Sequence, residues 1–326
     1  MSIKHIVTDW EPKNEYTTPL KGKVIYRNSG IIKAIAKSDV KISVGKIVYE
    51  KFDEENFQYI ISPFWHIIDG LSSDVFQGIP GIDMEMRLKD YYRVNYEPVF
   101  ITERSPSKNR EDLWELMESV GLDYYDRFEW LIRTNMRAGN DNLIVERMRD
   151  VPKRFYYSKE NKKIDYNLED IELFVEEDSR SNSALKRMLG YMQYGDRLVI
   201  SELSQLGKNS EQLSCALLNL IYSGISIKTM NDDWVLDDKD FSVMIPVLRA
   251  QVSMNDKRQK EAQSKGIQKA KQQNKYKGRK KKDVNFIALE ESYKKFKQGS
   301  INIEQAMELA NINSKSTYYR RIKELF

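Results

Sequence analysis

One cysteine, Cys215, in 326 residues excludes an internal disulfide framework and points to a reducing compartment. Two histidines, His5 and His66, added to that cysteine cannot make an ordinary zinc site within one chain. No Cys–His or Ser–His catalytic set can be built without leaning on a single isolated histidine. No apolar run is long enough to span a bilayer. The opening MSIKHIVTDW lacks the basic-then-apolar build of a secretory signal, so a cytoplasmic location is expected. Residues 1–150 hold no phosphate loop, no metal-ligand spacing and no nucleophile motif. No cofactor and no metal are expected anywhere.

Charge is present, and it is uneven. The formal net charge is +4, yet residues 255–326 hold 19 Lys and Arg against 8 Asp and Glu, and residues 1–254 hold 34 against 41. A basic tail on an acidic body points to a tail that meets a polyanion, and argues against a whole surface devoted to nucleic acid.

The length suits two or three domains. Residues 1–150 read as an aromatic-rich α+β domain of unassigned role. Strands are expected at Lys23–Tyr26, Lys46–Phe52 and Phe57–Ser62, where β-branched and aromatic residues cluster between Gly and Asp/Asn punctuation. Helices are expected over Arg110–Ser119, with Asn109 as N-cap, and over Tyr125–Arg137.

Residues 151–254 alternate strand and helix, which implies a largely parallel sheet with helical cover. Strands are expected at Arg154–Tyr157, Arg197–Ser201 and Ile225–Met230, and helices at Leu168–Phe174, Ser183–Met192 and Glu211–Tyr222. Leu198-Val199-Ile200 has the short, continuous apolar run of a strand buried on both faces. A long helix starts near Asp240. Phe241, Met244, Ile245, Leu248 and Val252 form one stripe on it, and Pro246 predicts a kink or a later start. Residues 255–283 continue as a basic helix and arm.

The most specific stretch is Gly195–Asn209, GDRLVISELSQLGKN. It resembles a segment of the serine recombinases, the resolvases and DNA invertases, which runs roughly GD-x-L-V-x-x-x-L-D-R-L-G-R-[NS]. The later blocks fit in order. Gly224–Ile227 matches the family's next strand, the run from Phe241 its long helix, and Gly278-Arg279-Lys280-Lys281 its G-R-[PK]-K linker. The resemblance covers about residues 154–326. It implies an α/β resolvase-like domain with a long helix whose first part packs on a partner subunit and whose second part lies over DNA.

The chemistry is not carried over. Ser204, Gln205 and Lys208 stand where the family has the Asp, Arg and Arg of its active site. The family's first strand ends Y-x-R-V-S, and its serine attacks a DNA phosphate. The comparable strand here reads Arg154-Phe155-Tyr156-Tyr157-Ser158-Lys159. Aligning on Tyr156 puts Ser158 in the Arg position and Glu160 in the nucleophile position. Making Ser158 the nucleophile discards the Tyr-x-Arg context. A further family arginine falls near Ser183. Phosphoryl transfer builds negative charge on equatorial oxygens, and guanidinium groups neutralise it with paired donors. Lys208 keeps one charge without the fork. A catalytically inert domain is expected. The alternative is an active recombinase using Ser158 with Arg154 or Lys208.

Residues 284–326 read as three helices. Phe286–Lys297 has Phe286, Leu289, Tyr293 and Phe296 inward. Asn302–Ala310 has Asn302 as N-cap and Gln305 in the capping-box position, and Ser314 caps a third helix ending near Leu325. Two short helices about a tight turn after a leading helix make a helix-turn-helix, as DNA invertases end. Tyr318, Ile322 and Leu325 should be buried. Lys315, Ser316, Thr317, Tyr319, Arg320 and Lys323 should face double-stranded DNA, Arg320 reading a base and the lysines touching phosphates. Lys277, Arg279, Lys280, Lys281 and Lys282 should form a minor-groove or backbone arm.

The expected whole is a DNA-binding homodimer or higher homo-oligomer without membrane contact, a regulator or architectural factor of a phage or mobile element. A further alternative makes residues 1–150 a toxin-like or phage-interaction effector tethered to DNA.

Overall fold

An antiparallel sheet is built from β1 (Tyr26–Ile35), β2 (Lys41–Lys51), β3 (Phe57–Pro63), β4 (Tyr91–Val94) and β5 (Leu143–Arg147), in the order β4-β3-β2-β1-β5. Short helices α1 (Trp65–Ile68), α2 (Val99–Thr102), α3 (Leu113–Ser119) and α4 (Arg127–Thr134) accompany it. A second sheet holds β6 (Arg154–Ser158), β7 (Ile171–Val175), β8 (Arg197–Ile200), β9 (Ser226–Thr229) and β10 (Val235–Leu236), in the order β10-β9-β8-β6-β7. Its β6/β7, β6/β8 and β8/β9 pairs are parallel, and β10 is antiparallel to β9. Helices α5 (Ser183–Tyr191), α6 (Ser210–Tyr222) and α7 (Asp238–Gln272) follow its strands. The computed structural model describes residues 18–36, 39–139, 141–159, 170–178, 181–273 and 284–326.

The chain divides into two compact units, residues 1–258 and 259–326. The sequence reading set a boundary after residue 150, but residues 1–258 share one core. Ile32, Val44, Ile61 and Phe128 belong to the same buried cluster as Phe155, Leu198, Ile221, Phe241 and Ile245. The physical reason is that the helices over the second sheet also need an apolar surface on their far side, and the first sheet supplies it.

Several local expectations change in the structure. The strand expected at Lys23–Tyr26 begins at Tyr26 and runs through Arg27-Asn28-Ser29-Gly30, a stretch that reads as a turn but pairs with both β2 and β5. The helix expected over Leu168–Phe174 is strand β7 from Ile171 onward, because pairing with β6 overrides the three-residue spacing of its apolar side chains; residues 168 and 169 lie outside the described residues. Helix α3 starts after Asp112 rather than after Asn109, and α7 starts at Asp238 and continues past Pro246 without a break. Val199 and Ile200 are buried as expected of a central strand.

An ionic knot that sequence reading missed ties α4 to the first sheet. Glu129 is almost fully buried and accepts from Asn28 Nδ2 (2.9 Å), Arg133 Nε (2.8 Å) and Arg147. Burial pushes its carboxyl up, but the bonds from Arg147, Arg133 and Asn28 outweigh that and hold it down at about 2. A folded value below the ordinary 4.5 means the contribution is complete above that pH and is lost as pH falls toward 2. It amounts to about 2–3 kcal/mol once screening of the part-exposed arginines is allowed for. In urea titrations near neutral pH, Glu129→Gln should lose that much. The gap to the wild type should close between pH 5 and 2.5, and a constant gap would refute the assignment.

The unit of residues 259–326 contains α8 (Phe286–Lys297), α9 (Ile303–Leu309) and α10 (Lys315–Leu325). Leu289, Ala306, Ala310, Ile312, Tyr318 and Ile322 form its core, with Leu325 against it. The capping box of Asn302 and Gln305 is present. Asn311, with φ 53°, makes the left-handed turn between α9 and α10, a conformation that asparagine tolerates. Ser292 Oγ and Tyr318 Oη, both buried, meet at 3.0 Å and pin α8 to α10. Phe286, expected inward, is half exposed, because Asn285 caps the helix there and turns its first residue to solvent. Ser314 occupies the N-cap of α10, but its hydroxyl bonds to Ser316 Oγ rather than to the helix backbone.

Candidate functional site

In the second sheet the chain leaves β6 for β7 on one side and returns to β8 on the other. The C-terminal ends of β6 and β8 therefore flank a topological switch point, where open α/β sheets place their ligand crevice. Ser158 closes β6 at this edge and is buried. Its carbonyl accepts from Glu176 N at 3.0 Å. Arg154, the strand's other end, lies four residues away, about 13 Å along an extended chain. That distance removes Arg154 from any site built on Ser158.

Glu176 organises this corner. Its carboxylate accepts from Tyr157 Oη (3.2 Å), Ser183 Oγ (3.3 Å), Ala184 N (3.1 Å) and Leu185 N (3.1 Å), and so caps the first turn of α5. Burial raises its pKa, yet the backbone bonds of Leu185 and Ala184 and the hydroxyls of Tyr157 and Ser181 bring it below the usual value. The donors that a helix N-terminus offers to an anion are already taken. Nothing local in the sequence marks Glu176; its role arises from the parallel pairing that brings it beside Ser158.

After β8 the chain enters a single 3₁₀ turn, Leu203–Leu206, that carries Ser204 and Gln205. Ser204 is exposed and its hydroxyl donates to Glu202. Gln205 is half-buried, and its Oε1 has no hydrogen-bond partner among the described residues. Gly207 lies so close to α6 that a Cβ there would stand 2.5 Å from Leu213 N, which fixes the turn against that helix. Lys208 gives its backbone N–H to Gln212 Oε1 (3.0 Å) and leaves its ammonium in solvent. The Gly195-Asp196 pair that opens the motif is structural: buried Asp196 accepts from Gln193 N (2.6 Å) and Lys153 N (2.8 Å) and pairs with Arg149.

Taken together, the described residues at this edge (158–159, 176–178, 201–209 and 230–234) carry Glu176, Glu177, Asp178, Glu202, Asp232 and Asp233 against Lys159 and Lys208. Asp233 is paired with Lys228 Nζ at 2.9 Å, and the other described charges of this edge are mostly negative, whereas phosphoryl transfer calls for positive groups.

The family model "Resolvase, N terminal domain" matches residues 158–276. The chain carries a serine-recombinase segment. Over 155 residues it is 25% identical to the transposon Tn1546 resolvase of Enterococcus faecium, an alignment that takes in 45% of this chain and 78% of that protein. The family match takes in β7–β10 and α5–α7, begins at the last residue of β6 and leaves the first sheet outside.

In the recombinase segment the apolar stripe of α7 was expected to meet a partner subunit. It is instead covered within the chain: Phe241, Ile245 and Leu248 are buried in the core they share with the first sheet. Beyond residue 258, Lys260, Lys265, Lys269 and Lys271 of α7 are exposed.

On α10, Lys315, Ser316, Tyr319, Arg320 and Lys323 are exposed and Thr317 is half-buried, while Tyr318 and Ile322 face inward. Arg321, not singled out in the sequence, is buried and pairs with Glu324 at 2.7 Å. Lys277, Arg279, Lys280, Lys281 and Lys282 lie outside the described residues. Among the described residues no three metal-ligating side chains gather, and no helix is long and apolar enough to cross a membrane.

Proposed function

We propose that this chain is a DNA-binding relative of the resolvases that keeps the recombinase scaffold and does not exchange strands. The observation that carries the reading is the acidic edge around Ser158, with Ser204, Gln205 and Lys208 in place of charged catalytic side chains. Each positioned donor lost from a phosphoryl-transfer site costs about 2.7–4 kcal/mol of barrier, so replacing the two guanidinium groups at Gln205 and Lys208 and the further one near Ser183 removes most of the catalysis.

Residues 284–326 serve as a helix-turn-helix, with α10 entering the major groove. The face bearing Lys315, Ser316, Thr317, Tyr319, Arg320 and Lys323 meets DNA, and Lys277, Arg279, Lys280, Lys281 and Lys282 follow the backbone or minor groove. The chain binds as a homodimer in the cytoplasm and acts as a regulator or architectural factor of a mobile element. The exposed lysines on the later turns of α7 support this reading.

Purified protein incubated with supercoiled DNA from its own locus, then run on a denaturing gel, tests the claim. No covalent adduct should form, and Ser158→Ala should leave DNA affinity unchanged. An adduct that disappears in Ser158→Ala would make the chain a divergent recombinase.

A further inference from the structure

One end of the first sheet carries a field of aromatic rings. Tyr49 of β2 stands opposite Asn28 of β1 and Tyr59 of β3, and two residues on, along the same face, Lys51 stands opposite Tyr26 and Phe57. The rings meet across the strands. Centroids are 4.9 Å apart for Tyr49 and Tyr59, 5.9 Å for Tyr49 and Phe57, and 6.0 Å for Tyr26 and Tyr49. Tyr59 also meets Phe128 of α4 edge to face at 6.0 Å, which brings the head of α4 to the same end of the sheet. Tyr59 is buried and Tyr49 and Phe57 are half-buried, while Tyr26 is 40% exposed and Tyr124, just before α4, is 48% exposed. The field is therefore open to solvent at its rim.

Asp126, the N-cap of α4, stands at this spot and accepts from Glu129 N at 2.8 Å. Burial raises the pKa of Tyr26, Tyr49, Tyr59 and Tyr124, and the Asp126 charge adds to each rise, so the carboxylate is near all four. Burial also raises the Asp126 carboxyl itself, although the N–H groups of Glu129 and Phe128 donate to it. The cations of this corner are engaged elsewhere. Arg133 pairs with Glu129 at 2.8 Å, as does Arg147, while Arg127 pairs with Glu97 and Lys51 with Glu54 at 3.4 Å. Among the described residues no lysine or arginine closes an ion pair with Asp126.

The chemistry of the corner selects its ligand. Ring faces attract cations through their quadrupole, and a part-buried carboxylate without a counter-ion adds a full charge. An anion would meet Asp126, Glu129 and Glu97 together. A neutral apolar ligand would bury the Asp126 charge further and leave it unpaired. A hard metal ion takes six or more oxygen ligands, and a single carboxylate among carbon rings does not supply them.

We propose that Tyr26, Tyr49, Phe57, Tyr124 and Asp126 form a binding site for an alkylammonium head, on the region that the recombinase match leaves outside. The head rests its carbons on the rings and turns its charge to Asp126. A quaternary amine and a lysine side chain share this chemistry. The site belongs to the first sheet and α4, so it stands whether or not Ser158 reacts and whichever DNA is bound.

Isothermal titration calorimetry of the full chain with tetramethylammonium chloride, n-butylammonium chloride and tert-butanol, at constant ionic strength, tests it. Both ions should bind with Kd on the order of 1 mM and shift tyrosine ring resonances. The neutral tert-butanol, close in shape to tetramethylammonium, should bind about tenfold more weakly. Asp126→Asn keeps a side-chain oxygen for the cap of α4 and removes the charge, and should weaken both ions by about tenfold. Tyr49→Leu should weaken them by about three- to fivefold. Tighter binding of tetramethylammonium assigns the site to a quaternary amine, and tighter binding of n-butylammonium to a lysine side chain. The comparison of charged and neutral probes on the wild type holds even where a variant folds poorly. Equal affinity for tert-butanol and tetramethylammonium, no binding of either ion, or unchanged affinity in Asp126→Asn would overturn the proposal.

Discussion

Raising salt from 50 to 200 mM should weaken DNA binding by roughly 10⁴-fold. The expectation follows from the residues proposed to touch phosphate: Lys277, Arg279, Lys280, Lys281 and Lys282 of the arm, with Lys315 and Lys323 of α10. Neutralising about seven phosphates releases the counterions condensed on them, and log K then falls against log salt with a slope of about −6. Lys315→Ala should reduce that slope by about one and weaken binding alike on all sequences. Arg320→Ala should cost about 1–3 kcal/mol on the preferred site and little on random DNA, because a base-edge contact discriminates and a phosphate contact does not. A fluorescence-anisotropy titration at four salt concentrations measures both. A slope shallower than about −2 would remove the arm from the interface. An Arg320→Ala loss equal on specific and random DNA would reassign that residue to the backbone.

Gly224→Ala should destabilise residues 1–258 by about 3–4 kcal/mol. Two penalties add. Gly224 has φ 72°, a left-handed conformation that costs any side chain about 1–2 kcal/mol. The new methyl would also stand 2.1 Å from Tyr194 Cδ2 and 2.6 Å from its Cε2. That ring cannot retreat, because Phe64 is stacked on its plane at 3.6 Å. Overpacking of this kind costs about 1–3 kcal/mol. Gly121→Ala is the control: φ is 73°, but the nearest atom to its Cβ is the flexible Arg133 Nη1 at 3.5 Å, so only the backbone penalty applies. All five tryptophans lie before residue 258, so their fluorescence in a urea titration reports on this unit alone. If Gly224→Ala and Gly121→Ala fall within about 0.5 kcal/mol of each other, the Tyr194 contact does not constrain the fold.

The two predictions separate by unit. Salt acts through side chains on residues 259–326 and the arm, whereas Gly224 sits where the first sheet meets the recombinase segment. A Gly224→Ala chain that still binds DNA through α10 would show that the three-helix unit holds together by its own core of Leu289, Ala306, Tyr318 and Ile322.

Legibility from the sequence followed the range of the interactions involved. Strands β6, β8 and β9 and helices α5, α6 and α8–α10 were readable because each is set by local periodicity, a cap or a short apolar run. The replacement of a carboxylate at Ser204 and of guanidinium groups at Gln205 and Lys208 was readable because a motif frame supplied the comparison. Strand β7 was misread because its apolar spacing fits a helix as well as a strand, and only its pairing with β6 decides between them. The start of β1 was misread because Asn28, Ser29 and Gly30 favour turns in isolation, while in the sheet Asn28 is committed to Glu129.

By itself, then, the sequence determined the recombinase frame, the missing guanidinium groups, the basic C-terminal stretch and the three-helix ending. Those are matters of residue identity at short spacing. The tertiary structure alone decided that Glu176 comes beside Ser158 and fills the first turn of α5, and that Phe241, Ile245 and Leu248 share a core with the first sheet. Each depends on side chains far apart in the chain meeting in space. An apolar stripe states in one dimension that it must be buried, but what buries it is settled only when the whole chain has packed.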